Sequence, residues 1–419
     1  MIEDAEKSVN DYMRDSRRDK GKTLKKQYKK LMCEMGSLFY KRPQLEKICK
    51  DRESELVLSC FTKYKFKATD DDDEKPNDLI YILNCFGYNL TSLNVDNYPF
   101  SKVMPLINNN CPGLKELVVE FEEINDQDFE NVFSNMHKLE KLMITWDCGK
   151  LTLPMTLVKT LEQVGGTLKK LYLLCRSKDE VFLPDSWASM SSQLIALERL
   201  NLYGFQLSQT LIDSIGEIPN LTNLETFPRD DYPMDNKKIN MSPIVNLKHL
   251  EGFNINWDWG VTDEFLINLC NNSKKLQNLR FLGTNITDNG MSALNNLSEL
   301  KRFSLKLNCL GSGSTEKTNK YITDESIECL FNEKLMSLNL SNCTKISNRS
   351  VIKAFENLPN LSYLSVENTN VTIKVVEELS KLIKFHEKKL HVYVSFEDCN
   401  GIFKSLMESH NVEFTETSS

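Results

Sequence analysis

The phrase Leu-x-x-Leu-x-Leu returns from Leu90 to the end of the chain at the spacing of one strand-plus-helix unit, and nothing else in the sequence restricts the fold as tightly. Its clearest copies are Leu114/Leu117/Val119, Leu139/Leu142/Ile144, Leu168/Leu171/Leu173, Leu197/Leu200/Leu202, Leu276/Leu279/Phe281, Leu335/Leu338/Leu340 and Leu361/Leu364/Val366. Weaker copies start at Leu90, Leu221, Leu250, Leu300 and Lys389, for a total of about 12. Starts lie 25 residues apart from Leu114 to Leu139 and 26 apart from Leu335 to Leu361. Each unit supplies a short strand with inward apolar residues, a turn and a helix. One unit cannot bury that face alone, so the units must stack.

The period predicts an α/β leucine-rich repeat solenoid over residues 85–419, a curved horseshoe with parallel strands on its concave face and helices on its convex face. Residues 1–66 lack the repeat and form an expected N-terminal helical region, followed by an acidic linker and the start of the first repeat over 67–84. Asp70-Asp71-Asp72-Asp73-Glu74 repels itself and ends near the helix breaker Pro76. Within the repeats, Ser326–Phe331 and Ser350–Phe355 carry apolar residues at helical spacing, and Asp288, Asp324 and Asn348 stand where helix caps are expected. A turn residue just past each strand should bond the backbone of the stack; the candidates are Cys343, Asn308, Thr284, Thr369, Asp147 and Asp258. Two stretches depart from the period. Between Leu300 and Leu335, 35 residues apart, Gly311–Thr318 reads as a surplus loop, and Phe227–Met234 reads as a second excursion.

Composition narrows the function. With 40% hydrophobic residues, 26% charged residues and a net charge of −7, the chain is neither disordered nor a bulk nucleic-acid binder. The basic run Arg14–Lys30 is interleaved with Asp15 and Asp19, which favours a solvated helix over an RNA contact. No stretch approaches the roughly 18 apolar residues of a membrane span, and Met1–Glu6 carries no signal segment, so a cytoplasmic or nuclear protein without membrane partners is expected. Its 12 cysteines show no paired spacing and are expected to be reduced.

Catalysis has little support. His137, His249, His386, His391 and His410 fall in separate repeats, and no phosphate loop, metal motif or nucleophile motif occurs, so no enzyme activity, cofactor or metal is expected. A binding surface is the alternative. The variable strand positions Lys141, Lys169, Lys170, Tyr172, Arg199, Arg280, Lys301 and Arg302 form an expected basic strip suited to carboxylates or phosphates, with Trp257 and Trp259 as an aromatic rim. Lysine and arginine at such places also serve simply to keep a strand face soluble.

The phrases Leu338-Asn339-Leu340-Ser341-Asn342-Cys343-Thr344-Lys345-Ile346-Ser347, Asn285-Ile286-Thr287-Asp288-Asn289-Gly290 and Tyr321-Ile322-Thr323-Asp324-Glu325-Ser326 resemble the cysteine-containing repeats of the F-box/leucine-rich-repeat family. In addition, Pro43–Lys50 followed by Leu56–Phe61 is similar to the last part of an F-box. The opening Leu-Pro phrase is absent, Arg52 stands near a position where the family has tryptophan, and Lys25–Lys30 replaces an apolar first helix, so the box is degenerate or truncated. The resemblance implies a substrate-recognition subunit of a Skp/cullin/F-box ubiquitin ligase, with Leu45, Ile48, Leu56 and Phe61 facing the Skp adaptor and the repeats holding an acidic or phosphorylated protein. A free-standing scaffold or inhibitor without a ligase connection is the alternative.

Overall fold

The computed structural model describes residues 62–67, 76–146, 155–176, 186–205, 208–227, 239–305, 307, 317–383, 389–395 and 412–416. The chain forms two compact units, Met1–Ile144 and Thr145–Ser419. Among the described residues no helix is long and apolar enough to cross a membrane.

In the first unit, strands β1 (Lys63–Lys67), β2 (Ser92–Phe100) and β3 (Glu116–Glu123) lie side by side and parallel. Phe66 pairs with Val95 and Val95 with Val119, and all three are buried. Lys63–Lys67 therefore belongs to the repeat stack, and the expectation of a helical region through residue 66 is corrected there. Tyr64 and Phe66 take the inward places that leucines occupy elsewhere, and Phe66 meets Tyr98 edge-on with centroids 5.8 Å apart. The helix Pro76–Phe86 opens on a proline, which suits a first turn, and buries Leu79, Ile82, Leu83 and Phe86 at three- and four-residue spacing. Strand β4 (Lys141–Trp146) spans the division between the units.

The second unit repeats the arrangement with greater regularity. Its strands are β5 (Lys170–Cys175), β6 (Arg199–Tyr203), β7 (Asn223–Phe227), β8 (Gly252–Ile255), β9 (Asn278–Arg280), β10 (Arg302–Ser304), β11 (Asn319–Thr323), β12 (Ser337–Asn339), β13 (Cys343–Lys345), β14 (Tyr363–Val366), β15 (Leu390–Val394) and β16 (Val412–Glu416). All except β11 and β13 line up in chain order as neighbours of one parallel sheet; β11 and β13 pair with each other. One rung shows why. Leu171, Leu200, Leu224, Phe253, Leu279, Phe303, Leu338, Leu364, Val392 and Phe414 are register partners across ten strands. Every one of them is buried. Burying such a side chain contributes about 1.5–3 kcal/mol, so a row of contiguous rungs is what holds the stack. The surplus between Leu300 and Leu335 is not all loop, because β11 lies within it and the Lys317 carbonyl accepts from Asn342 Nδ2 at 3.3 Å. The strand begins at Asn319, directly after the expected Gly311–Thr318 loop, of which only Lys317 and Thr318 are described; residues 308–316 and 228–238 lie outside the described residues.

Candidate binding surface

Alternate residues of a strand point to opposite faces, so the side chains between the buried leucines form rows on the other face of the sheet. The first row runs Lys170, Arg199, Asn223, Gly252, Asn278, Arg302, Ser337, Tyr363, His391 and Glu413. The second runs Tyr172, Asn201, Glu225, Asn254, Arg280, Ser304, Asn339, Ser365, Tyr393 and Thr415. Neighbours bond along these rows. Arg199 Nη2 donates to Asn223 Oδ1 at 3.2 Å, Asn201 Nδ2 to Glu225 Oε2 at 2.8 Å and Arg302 Nη1 to Asn278 Oδ1 at 3.0 Å. Two aromatic pairs flank the middle strands: Tyr203 with Phe227, centroids 4.8 Å apart, and Tyr363 with Tyr393 at 4.7 Å.

The sequence-predicted residues divide on this frame. Lys169, Lys170, Arg199, Arg280 and Arg302 are exposed, while Tyr172 and Lys301 are half-buried; Lys301 Nζ donates to Gln277 Oε1 at 2.9 Å. Lys170 and Arg199 are register partners, and Arg280 and Arg302 sit on adjacent strands, so the basic residues fall in two clusters. Lys141 is half-buried on β4. Trp257 is no part of an exposed rim. It is 2% exposed because it continues the inward parity of Phe253 and Ile255, and its indole N–H has no partner among the described residues. Trp259 remains half-exposed, with Lys317 Nζ 6.0 Å from its ring centroid. Leu45, Ile48, Leu56 and Phe61 lie outside the described residues. The two aromatic pairs were missed from sequence, although strand parity alone would have placed them outward.

The helix starts on the other side of the strands carry a second ordered array. Thr262, Thr287, Thr323 and Ser347 are the N-caps, each accepting a backbone N–H through its hydroxyl. This corrects the assignment of Asp288, Asp324 and Asn348, which occupy the next position and reach across to the following repeat. Asp263 accepts from Thr287 N at 2.9 Å and Thr287 Oγ1 at 2.5 Å, and Asp288 accepts from Thr323 N at 2.8 Å and Thr323 Oγ1 at 2.7 Å. Asp324 accepts from Ser347 N at 2.9 Å, Ser347 Oγ at 2.6 Å and Ser350 Oγ at 2.5 Å, and Asn348 Oδ1 accepts from Thr372 N at 2.8 Å. Burial raises the Asp324 carboxyl, but the bonds from Ser347 and Ser350 and the charge of Arg349 outweigh it and hold the group below its ordinary range. Gly290 leaves room for this bond, because a Cβ there would press on the Asp263 carboxylate.

Of the expected turn residues, Thr369 Oγ1 bonds the Val366 carbonyl at 2.7 Å and Thr284 donates to Asp258, while Asn308 and Asp147 lie outside the described residues. The backbone-bonding role falls mainly to buried asparagines. Asn319 Nδ2 donates to the carbonyls of Gly283 at 2.7 Å and Ile286 at 2.8 Å, and Asn332 Nδ2 donates to Leu297 at 2.7 Å. Cys85, Cys111, Cys175, Cys270, Cys329 and Cys343 are free thiols. Burial pushes Cys111 and Cys270 up to about 12 and raises Cys343 as well, which keeps these thiols protonated and poorly nucleophilic at neutral pH.

Registers and rows of this kind define a leucine-rich-repeat protein. No protein-family model matches the sequence, and no curated protein matches it. Among solved structures it is similar to a chain of the crystal structure of the yeast Rad7 and Elc1 complex, at 17% identity over 99% of this chain and 96% of that one, with a TM-score of 0.49.

Proposed function

We propose that this protein is a binding solenoid that selects a protein substrate for a Skp/cullin/F-box ubiquitin ligase, the transfer of ubiquitin being done by other subunits. The observation that supports binding is the outward face of β5–β16, a ten-strand surface of basic, aromatic and short polar side chains on which Lys170 and Arg280 bond to no described residue. Such a face suits a protein carrying carboxylates or phosphates, because arginine pairs with both through two parallel bonds. The ligase half of the reading rests on the F-box-like stretch 43–61 and its apolar residues Leu45, Ile48, Leu56 and Phe61. The departures at Arg52 and at the missing Leu-Pro phrase favour the second reading, a scaffold or inhibitor with no ligase partner.

Co-purification with a Skp adaptor and cullin separates the two. The unmodified chain retains the adaptor, and Ile48→Asp releases it while leaving the repeats folded by circular dichroism. An unmodified chain that binds no Skp adaptor at micromolar concentration establishes the scaffold.

A further inference from the structure

We propose that Arg280 receives a carboxylate of the protein partner above a floor of short side chains, with the Tyr363–Tyr393 pair as the apolar wall of the same site. This rests on the strand-face binding proposed above and names the chemistry it selects. Arg280 is followed across successive strands by Ser304, Asn339 and Ser365 before the row reaches Tyr393. Neighbouring strands lie about 4.8 Å apart, so the four steps from β9 to β15 open a trough on the order of 19 Å between backbones, floored by small uncharged residues.

The cations around the trough are not equivalent. Arg302 and Lys301 are bonded to Asn278 and Gln277, whereas Arg280 is exposed and makes no hydrogen bond or ion pair to a described residue. A free guanidinium presents two parallel N–H donors that match the two oxygens of a carboxylate. Burial raises the Tyr363 hydroxyl, Tyr393 and Glu367 add to the rise, and a hydrogen bond with Ser365 and then the charge of Arg280 oppose it.

The anion is singly charged for a reason of the same geometry. Glu367 stands beside Tyr363 and accepts from Ser341 Oγ at 3.3 Å and Ser365 Oγ at 3.1 Å. One guanidinium pairs with both oxygens of a carboxylate and balances its charge, whereas beside Glu367 it leaves about one charge and one oxygen of a phosphate dianion unmatched. The half-buried rings of Tyr363 and Tyr393, 33° apart in plane, stand three and four strands from Arg280 and give an apolar surface to a residue about four or five places along an extended peptide from the acid. Aromatic and arginine side chains are the groups that most often dominate such contacts.

The test selects random short peptides displayed on phage against the full chain, then measures synthetic versions of the recovered peptides by fluorescence anisotropy. The expected peptides carry Asp or Glu at one fixed place and an apolar residue about four or five places away. Arg280→Gln weakens them by about tenfold, Arg280→Lys by less, and changing the peptide's acid to its amide costs the unmodified chain the same factor but costs Arg280→Gln nothing more. Peptides without acid enrichment, or equally bound by Arg280→Gln, overturn the site. If those peptides are still released on reversing Lys170 and Arg199 to Glu, binding to the strand face stands without it. Recovery of no peptide overturns both, and tighter binding on replacing the acid with phosphoserine overturns the carboxylate assignment.

Discussion

Within the second unit, the repeats from Thr262 to Thr372 and those from Met155 to Phe227 solve the same stacking problem in different ways. In the later repeats, Asp263, Asp288 and Asp324 each take the N–H and hydroxyl of the next repeat's cap, so ionised groups couple neighbouring helices. In the earlier ones the helix Gln209–Gly216 is capped by Ser208, and its link onward is a neutral amide: Gln209 Oε1 accepts from Asn240 N at 2.8 Å and Gln209 Nε2 donates to the Asn240 carbonyl at 3.1 Å. Both regions share the apolar rungs. What differs is the polar coupling laid over them, and hydrogen bonds to a charged group are worth roughly twice those between neutral ones.

The largest expected effects should be alike in the two regions. Leu200→Ala and Leu338→Ala each remove a fully buried rung residue and should cost about 2–5 kcal/mol in urea denaturation. A variant that denatures with its parent would place that leucine outside the core and break the shared-rung account.

Removing the polar couplings should separate the regions. Asp324→Ala strands the Ser347 N–H and two hydroxyls and should cost about 2–3 kcal/mol, against about 1 kcal/mol for Gln209→Ala. Equal losses in the same denaturation experiment would show that charge adds nothing to the coupling.

Acid titration sharpens the point further. The Asp324 carboxyl is held below its ordinary value, so its contribution is fully present above about pH 4, the unfolded value, and is lost as pH falls through the lower folded one. Stability of the unmodified chain should therefore drop over that acid window, and Asp324→Asn should flatten the drop. A parallel decline in both proteins would assign acid sensitivity elsewhere.

The difference between the regions also governs how much the sequence disclosed. The strand rungs were legible because Leu-x-Leu alternates with period two, and the later helix starts were legible because Ile-Thr-Asp recurs at Ile286 and Ile322. The roles of Thr and Asp were exchanged, since both residue types cap helices and only the position after the buried isoleucine decides between them. The amide link from Gln209 to Asn240 spans 31 positions and leaves no local phrase. Strands β1 and β16 carry no leucine phrase, because Tyr64, Phe66 and Phe414 stand in the inward places that leucine fills elsewhere. On the candidate surface strand parity places the charged residues outward, and the same parity sends Trp257 inward and Tyr363 and Tyr393 outward.

Exposed charges should matter least to folding. Reversing Lys170, Arg199 and Arg280 to Glu should change stability by no more than about 0.5 kcal/mol, as should the control reversal of the exposed Lys248, Lys275 and Lys381. That near-silence makes the two triple variants the most direct measure of where the protein binds. With the tightest peptide recovered on the unmodified chain, dissociation constants at low and high salt should rise sharply for the strand-face triple, with the salt dependence of the unmodified chain lost, and should be unchanged for the control. Constants that stay the same in the strand-face triple, or that rise equally in the control, would contradict recognition on the strand face.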